Sequence, residues 1–178
     1  MPTILRTSLE QVGLSKVIAV GHSMGGVIVL QFAAAHPGSV AAIVMVDPPL
    51  VFSPDRRAVM EAMVAATEAG DDAPRSQWIK NMFLPTSDRR LMEEVLAVML
   101  SAPPDVAASA VRGVLEFDSP AAAALCTAPA LHLAASPPRM PPASIRERLP
   151  NIGAGHFNQL EVPDQVNAMI EAFLRHYV

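Results

Sequence analysis

The first fifty residues change from a helical to a strand-like hydrophobic pattern and back. Apolar residues at helical spacing predict an amphipathic helix over residues 3–13. The β-branched run 16–20 predicts a strand buried on both faces, and the apolar stretch 27–36 predicts a helix. The run 40–46 predicts a second buried strand. Strand, helix and strand in about 30 residues predict a right-handed βαβ unit with parallel strands.

The pattern differs in residues 51–120, where charged and methionine-rich stretches are separated by Pro, Gly, Ser and Asp. It predicts four short helices and no strand, as in a helical cap inserted after a βαβ unit. Methionines and a tryptophan recur along these helices. Packing of this apolar stripe in the core is the favoured interpretation, and the alternative is that it lines a pocket for an apolar ligand. The residues are Met60, Met63, Met82, Met92, Met99 and Trp78.

Strand character returns at residues 129–136 and is followed by a proline-rich connection. A short helix is predicted around 143–149, then a loop. The chain closes with a predicted amphipathic helix over 164–177, with Asp164 at the N-cap position.

Length and composition fit one domain with a sizeable core. The chain has 178 residues, of which 51% are hydrophobic, and a mean hydropathy of +0.32. We therefore predict a single α/β domain over residues 1–178 with a mostly parallel sheet. Segments 1–50 and 121–178 would form the core, and 51–120 the helical cap.

Charge and cysteine content narrow the partners and the location. Thirteen basic and seventeen acidic residues give a net charge of −4, and the basic residues are scattered. We therefore expect a small-molecule substrate or another protein, with no nucleic acid and no membrane as partner. The single Cys126 fits a reducing compartment, and residues 1–13 resemble neither a signal peptide nor a membrane span. A cytoplasmic location is expected.

The stretch "GHSMG" at residues 21–25 matches G-x-S-x-G between a predicted strand and a predicted helix, the context of a nucleophile elbow. The turn would strain the backbone of Ser23, and side chains at positions 21 and 25 would collide. The hydroxyl of Ser23 would point outward. The backbone N–H of Met24, at the start of the helix, could then stabilise an oxyanion.

A serine nucleophile needs a base, and the sequence offers five histidines. His36 and His176 lie at helix ends, and His132 lies inside a predicted strand, so structural roles are favoured for these three. His22 neighbours the serine and cannot easily turn back to act on it, although it could support the site. His156, in the glycine-flanked "GAGHF", remains as the candidate base.

These two blocks resemble the α/β-hydrolase superfamily, in particular its esterases, lipases, haloperoxidases and dehalogenase-like members. The resemblance covers "VIAVGHSMGGVIVLQFAAAHPGSVAAIVMVDPP" and "GAGHFNQLEVPDQVNAMIEAFL", about a third of the chain. It implies that Ser23 is the nucleophile, that His156 is the general base and that Met24 supplies one oxyanion donor. We expect no cofactor and no metal.

The family resemblance also directs the search for the acid. Most members carry it after the penultimate strand, but here "AASPPRMPP" follows that strand without Asp or Glu. A minority, including haloalkane dehalogenases and cofactor-free ring-cleaving dioxygenases, place it after the strand that follows the elbow helix. Asp47 stands there and is assigned as the acid; the alternative is a polar turn residue before Pro48.

The chain departs from the family at two further places. Family members have several strands before the elbow, and an early loop among them supplies a second oxyanion donor. Here only a helix precedes the elbow strand, so we expect a hydrolase fold truncated at its N-terminus with an exposed sheet edge. The segment "RLPNIGAGHF" also leaves almost no room for a last strand, which suggests a deletion near residue 151.

The resulting hypothesis is a serine hydrolase that cleaves an ester or related acyl bond of a small apolar substrate through Ser23, His156 and Asp47. Two alternatives remain. One is a catalytically impaired hydrolase fragment that self-associates, as a homo-oligomer, through its exposed sheet edge. The other is a cofactor-free oxygenase or perhydrolase of the same fold, which would use the same residues.

Overall fold

The computed structural model describes residues 2–135, 147–150 and 153–177. Their order along the chain is helix, strand, helix, strand, five helices, two strands and two helices. The elements are α1 (Pro2–Gln11), β1 (Val17–His22), α2 (Met24–Ala35), a short 3₁₀ turn (Pro37–Ser39), β2 (Val40–Val46), α3 (Pro54–Glu68), α4 (Ala73–Lys80), α5 (Arg89–Leu100), α6 (Pro104–Glu116), α7 (Ser119–Leu125), β3 (Ala130–Ala134), β4 (Glu147–Pro150), α8 (Asn158–Glu161) and α9 (Pro163–Leu174).

The strands form one parallel sheet in the order β1-β2-β3-β4, so the predicted α/β fold with a parallel sheet is confirmed. His22 at the end of β1 pairs with Val46 at the end of β2, and Val46 pairs with Leu133 of β3. The carboxyl ends of these three strands therefore lie side by side. In an open parallel sheet, ligand-binding residues collect at this edge.

Alternate residues of β2 supply the cores on the two faces of the sheet, as the two-residue period of a strand requires. Ile43 and Met45 pack in a cluster with residues of α2 and α7. Ala42, Val44 and Val46 pack in a second cluster with residues of β3 and α9. The sheet is thus covered by helices on both faces.

The burial of the first strand differs from the expectation. Burial of β1 on both faces was expected, but β1 is an edge strand of the described sheet and is only half-buried. Val20 is 54% exposed. Its β-branched pattern predicts a strand correctly but does not distinguish an edge strand from a central one, because burial depends on what packs beside it.

The four helices predicted between the βαβ unit and the later strand are confirmed as α3 to α6, and we call them the four-helix segment. Helix α3 packs against α6 and α4, and α4 packs against α5. Helix α7 was not predicted. Its sequence is mostly alanine and has no apolar stripe, but Asp118 caps it by accepting a hydrogen bond from the N–H of Ala121 at 2.9 Å.

The C-terminal region contradicts two expectations. Residues 147–150 form strand β4, parallel to β3, where a short helix and no further strand were expected. The expected deletion near residue 151 lies outside the described residues. Helix α9 begins at Pro163, with Val162 as the N-cap residue, so Asp164 is in the first turn and is not the N-cap. Proline has a fixed φ and no N–H, which suits the first helical position.

No single helix in the described part of the chain has both the length and the apolar content of a membrane span. Helices α5 and α6 satisfy both criteria only as a pair, and the pair is bent by 100°.

Candidate active site

Ser23 lies in a one-residue turn between β1 and α2. Its backbone has φ 52° and ψ −120°, a region that residues with a side chain rarely adopt. Two hydrogen bonds hold it there: its N–H donates to Val46 O at 2.9 Å, and its carbonyl accepts from the N–H of Gly26 at 2.9 Å. The strained geometry expected of a nucleophile elbow is therefore present.

The glycines around Ser23 have unequal roles. A Cβ on Gly21 would lie 2.2 Å from Gly25 O, so the predicted collision at position 21 is confirmed. A Cβ on Gly25 would meet nothing within 4 Å, so the collision predicted there is wrong. The crowded second site is Gly26, where a Cβ would lie 2.8 Å from Pro48 Cβ. The crowding at Gly21 therefore comes from the backbone of Gly25, and the lack of a side chain at position 25 is not what makes room.

Asp47 follows β2 directly and is completely buried. It is the second non-glycine residue with positive φ, at 42°. Its N–H donates to Leu133 O at 2.7 Å, and its Oδ1 accepts from the N–H of Ala135 at 3.0 Å. Its Oδ2 accepts from Nδ1 of His156 at 2.6 Å. Asp47 is therefore more than a polar turn residue, because its carboxylate joins β2, β3 and the loop before α8.

His156 is 2% exposed and is held at its ring and at its backbone. Since a carboxylate oxygen only accepts hydrogen bonds, the contact with Asp47 places a proton on Nδ1 of the imidazole. The N–H of His156 donates to Met82 O at 2.8 Å, in the turn that follows α4. A Cβ on the preceding Gly155 would lie 2.6 Å from this carbonyl, so the approach requires glycine.

Glu161 ties the same loop to the four-helix segment a second time. Its Oε1 accepts from the N–H of Gly155 at 3.0 Å, and its Oε2 accepts from the hydroxyl of Ser87 at 2.5 Å. The aromatic rings of Phe83 and Phe157 stack with centroids 5.0 Å apart. The position of His156 thus depends on the connection between α4 and α5.

Ser23 and His156 both contribute to the wall of a cavity of about 280 Å³ that is otherwise mostly apolar. Met24 also lines it. Much of the remaining wall comes from the four-helix segment, including Met60, Met63, Met82, Met99 and Trp78. Most of the predicted methionine stripe therefore lines a pocket, which was the less favoured interpretation, while Met92 packs in the cluster around Met82 and Phe83. These side chains serve as core and cavity wall together.

Three other histidines lie outside the cavity wall. His36 follows α2 and contacts the ring of Phe32, His132 is buried in β3, and His176 follows α9 beside Tyr177. His22 differs from these three, since its Nε2 lies 2.9 Å from the backbone oxygen of His156. Sequence reasoning allowed a supporting role for His22 but gave no partner for it.

The described residues give no sign of a reactive cysteine or of a metal centre. Burial raises the pKa of the Cys126 thiol, so this thiol is not activated as a nucleophile. In the part of the chain that the structure describes, no three His, Cys, Asp or Glu side chains cluster as metal ligands would.

Comparison with known proteins identifies the fold family. A family model described as alpha/beta hydrolase fold matches residues 1–105. Lipase LipV of Mycobacterium tuberculosis (strain ATCC 25618 / H37Rv) is 40% identical over 70 residues, which are 39% of this chain and 27% of the lipase. The match thus spans about a quarter of that curated relative.

Solved structures extend the similarity to almost the whole chain. A thermophilic esterase from Thermogutta terrifontis superposes with a TM-score of 0.80 at 22% identity, over 97% of this chain and 70% of the esterase. A bromoperoxidase from Bacillus anthracis gives 0.83 at 17% identity, over 98% and 72%. At these identities the similarity establishes the fold.

Proposed function

Because the chain belongs to the alpha/beta hydrolase fold family, we propose that it is a serine hydrolase that cleaves an ester or related acyl bond. The observation that carries the proposal is the hydrogen bond between Asp47 and His156, in a site where His156 and Ser23 line one cavity. Serine, acid and histidine occur in the chain in the order that this fold uses. Similarity to an esterase and a lipase supports the same reaction class.

In the proposed reaction, Nε2 of His156 takes the proton of the Ser23 hydroxyl as its oxygen attacks the acyl carbonyl. Asp47 holds Nδ1 protonated, so Nε2 is the nitrogen with the lone pair, and the carboxylate stabilises the imidazolium. The N–H of Met24, the first residue of α2, is the proposed oxyanion donor. The leaving alcohol takes the proton from His156, and water then releases the acid by the same steps in reverse.

The proposed substrate is apolar on the side that enters the cavity. Methionine, valine, alanine and phenylalanine side chains make up most of the wall. A wall of this kind favours hydrocarbon groups, and methionine adapts to irregular shapes. An acyl or alkoxy chain of several carbons fits this mostly apolar wall.

The test is labelling with a fluorophosphonate probe, together with hydrolysis of p-nitrophenyl butyrate. We expect wild-type protein to be labelled and to turn over the ester, Ser23→Ala to do neither, and Asp47→Asn to lose about 10⁴-fold in kcat. Ser101→Ala is the matched control, because Ser101 lies at the end of α5 outside the cavity wall. Labelling that survives in Ser23→Ala, or folded wild-type protein that is never labelled, would reject the proposal.

A further inference from the structure

The side chain of His22, next to Ser23, contacts the backbone of His156, the candidate base. The last residue of β1 is His22, and its Nε2 lies 2.9 Å from the carbonyl oxygen of His156, 134 residues later in the chain. A carbonyl oxygen only accepts hydrogen bonds, so Nε2 of His22 carries the proton. The ring centroids of the two histidines are 4.7 Å apart.

We propose that His22 is a positioning residue: the hydrogen bond from its Nε2–H to the backbone oxygen of His156 sets the imidazole of His156 relative to the hydroxyl of Ser23. This inference rests on the proposed function. It assigns to His22 no contact with the reacting atoms.

Bonds to other parts of the fold also hold His156. Its N–H is bound by Met82 O, in the four-helix segment, and its ring is bound by Asp47 at the end of β2. Neither bond ties the loop to the segment that carries Ser23. The bond from His22 does, because His22 and Ser23 are consecutive residues.

Strand pairing in the sheet fixes the backbone of His22. His22 pairs with Val46 of β2, and Val46 precedes Asp47. The N–H of Ser23 also donates to Val46 O. Nucleophile, acid and the residue that binds the histidine loop therefore share two adjacent strand ends.

The chemistry of the contact explains why a donor is needed at this position. Without it, a polar bond in a half-buried place would be broken, and the loop would lose its direct bond to the segment that carries Ser23. A displacement of about 1 Å at a reacting group can cost on the order of 10²-fold in rate. The ring of Phe157, 5.4 Å from that of His22, packs on the same side and does not replace a polar bond.

The test compares His22→Gln, which retains an N–H at similar reach, with His22→Leu, which does not. We expect His22→Leu to lower kcat for p-nitrophenyl butyrate roughly 10- to 100-fold with KM changed less than about twofold. His22→Gln should recover most of this loss. His36→Gln is the matched control, since His36 contacts Phe32 away from the cavity. A His22→Leu variant with wild-type kcat, or a His22→Gln variant as impaired as His22→Leu, would overturn the inference.

A second measurement keeps the two proposals separable. Long-range ¹H–¹⁵N spectra of the wild-type histidines should show Nε2 of His22 protonated at neutral pH, and the amide resonance of His156 should shift in His22→Leu but not in His36→Gln. A deprotonated Nε2 would overturn the positioning role. Absence of Ser23-dependent labelling with these spectra as expected would instead reject the serine hydrolase proposal and leave the contact established.

Discussion

Backbone strain is concentrated in two residues of the proposed site. Ser23 and Asp47 have positive φ, and conformations of this kind cost of the order of 1–3 kcal/mol each. Both are held by backbone hydrogen bonds to a neighbouring strand, from Ser23 to Val46 and from Asp47 to Leu133. The surrounding sheet therefore stabilises geometries that isolated residues would not adopt.

Gly21 and Gly25 provide a matched test of the turn around Ser23. Gly21→Ala should destabilise the fold by about 1–3 kcal/mol or more and abolish probe labelling, because its Cβ would lie 2.2 Å from Gly25 O. Gly25→Ala should be neutral or slightly stabilising, because its Cβ meets nothing within 4 Å and alanine favours the helix. Urea unfolding of both variants measures the difference. Equal losses of stability would show that the turn is not the tight structure described.

At single residues, the sequence was most informative where the local pattern itself indicates the role. The G-x-S-x-G spacing located the strained Ser23, and the place of Asp47 after a strand suggested a residue at the ligand side of the sheet. The bond from His22 to His156 and the bond from His156 to Met82 could not be predicted. They join residues far apart in sequence, and nothing local in either partner specifies the other.

At the scale of whole elements, helical periodicity and apolar runs predicted most of the helices and strands. Helices α1 to α6 and α9 and strands β1 to β3 belong to this group. Strand β4 has only four residues and exists through its pairing with β3, so propensity gave no guide to it. Helix α7 has an alanine run without an apolar stripe, and its local signals were the capping residue Asp118 and a proline in its first turn.

The contact between α3 and α6 predicts a pH-dependent stability. Glu68 and Arg112 form a bidentate pair, with Nη2 to Oε2 at 2.6 Å. The hydrogen bond from Arg112 lowers the pKa of Glu68 below its ordinary value of 4.5. A carboxyl group whose pKa is lower in the folded than in the unfolded state stabilises the fold at pH values above its unfolded-state pKa. This stabilisation is lost as the pH falls through the folded-state pKa.

Glu68→Gln should therefore lower the unfolding midpoint slightly at pH 7, and the difference from wild type should shrink as the pH falls below about 4. Both residues are exposed, so the effect is small. Thermal unfolding across this pH range measures it. Adding Arg112→Gln to Glu68→Gln should cost less than Arg112→Gln alone. An effect of Glu68→Gln that is independent of pH would mean that the pair does not contribute.

At the scale of the whole molecule, apolar side chains are exposed at one edge of the described sheet and on one helix. β1 is an edge strand with Val20 54% exposed, and nearby α1 and the turn after it expose Ile4, Val12 and Leu14 by 67%, 68% and 51%. An edge strand with an exposed apolar side chain is a template for pairing with another chain. We therefore expect this chain to self-associate through β1.

A charge on this edge should weaken that association, because lysine on an edge strand must be desolvated when a second strand pairs with it. Light scattering after size exclusion should give wild type a mass above 18.9 kDa that rises with concentration over the micromolar range, whereas Val20→Lys should stay near 18.9 kDa. Val98→Lys is the matched control, since Val98 is 72% exposed on α5, away from the sheet. A wild-type chain that stays monomeric at all concentrations, or equal masses for the two lysine variants, would show that the β1 edge is not the contact surface.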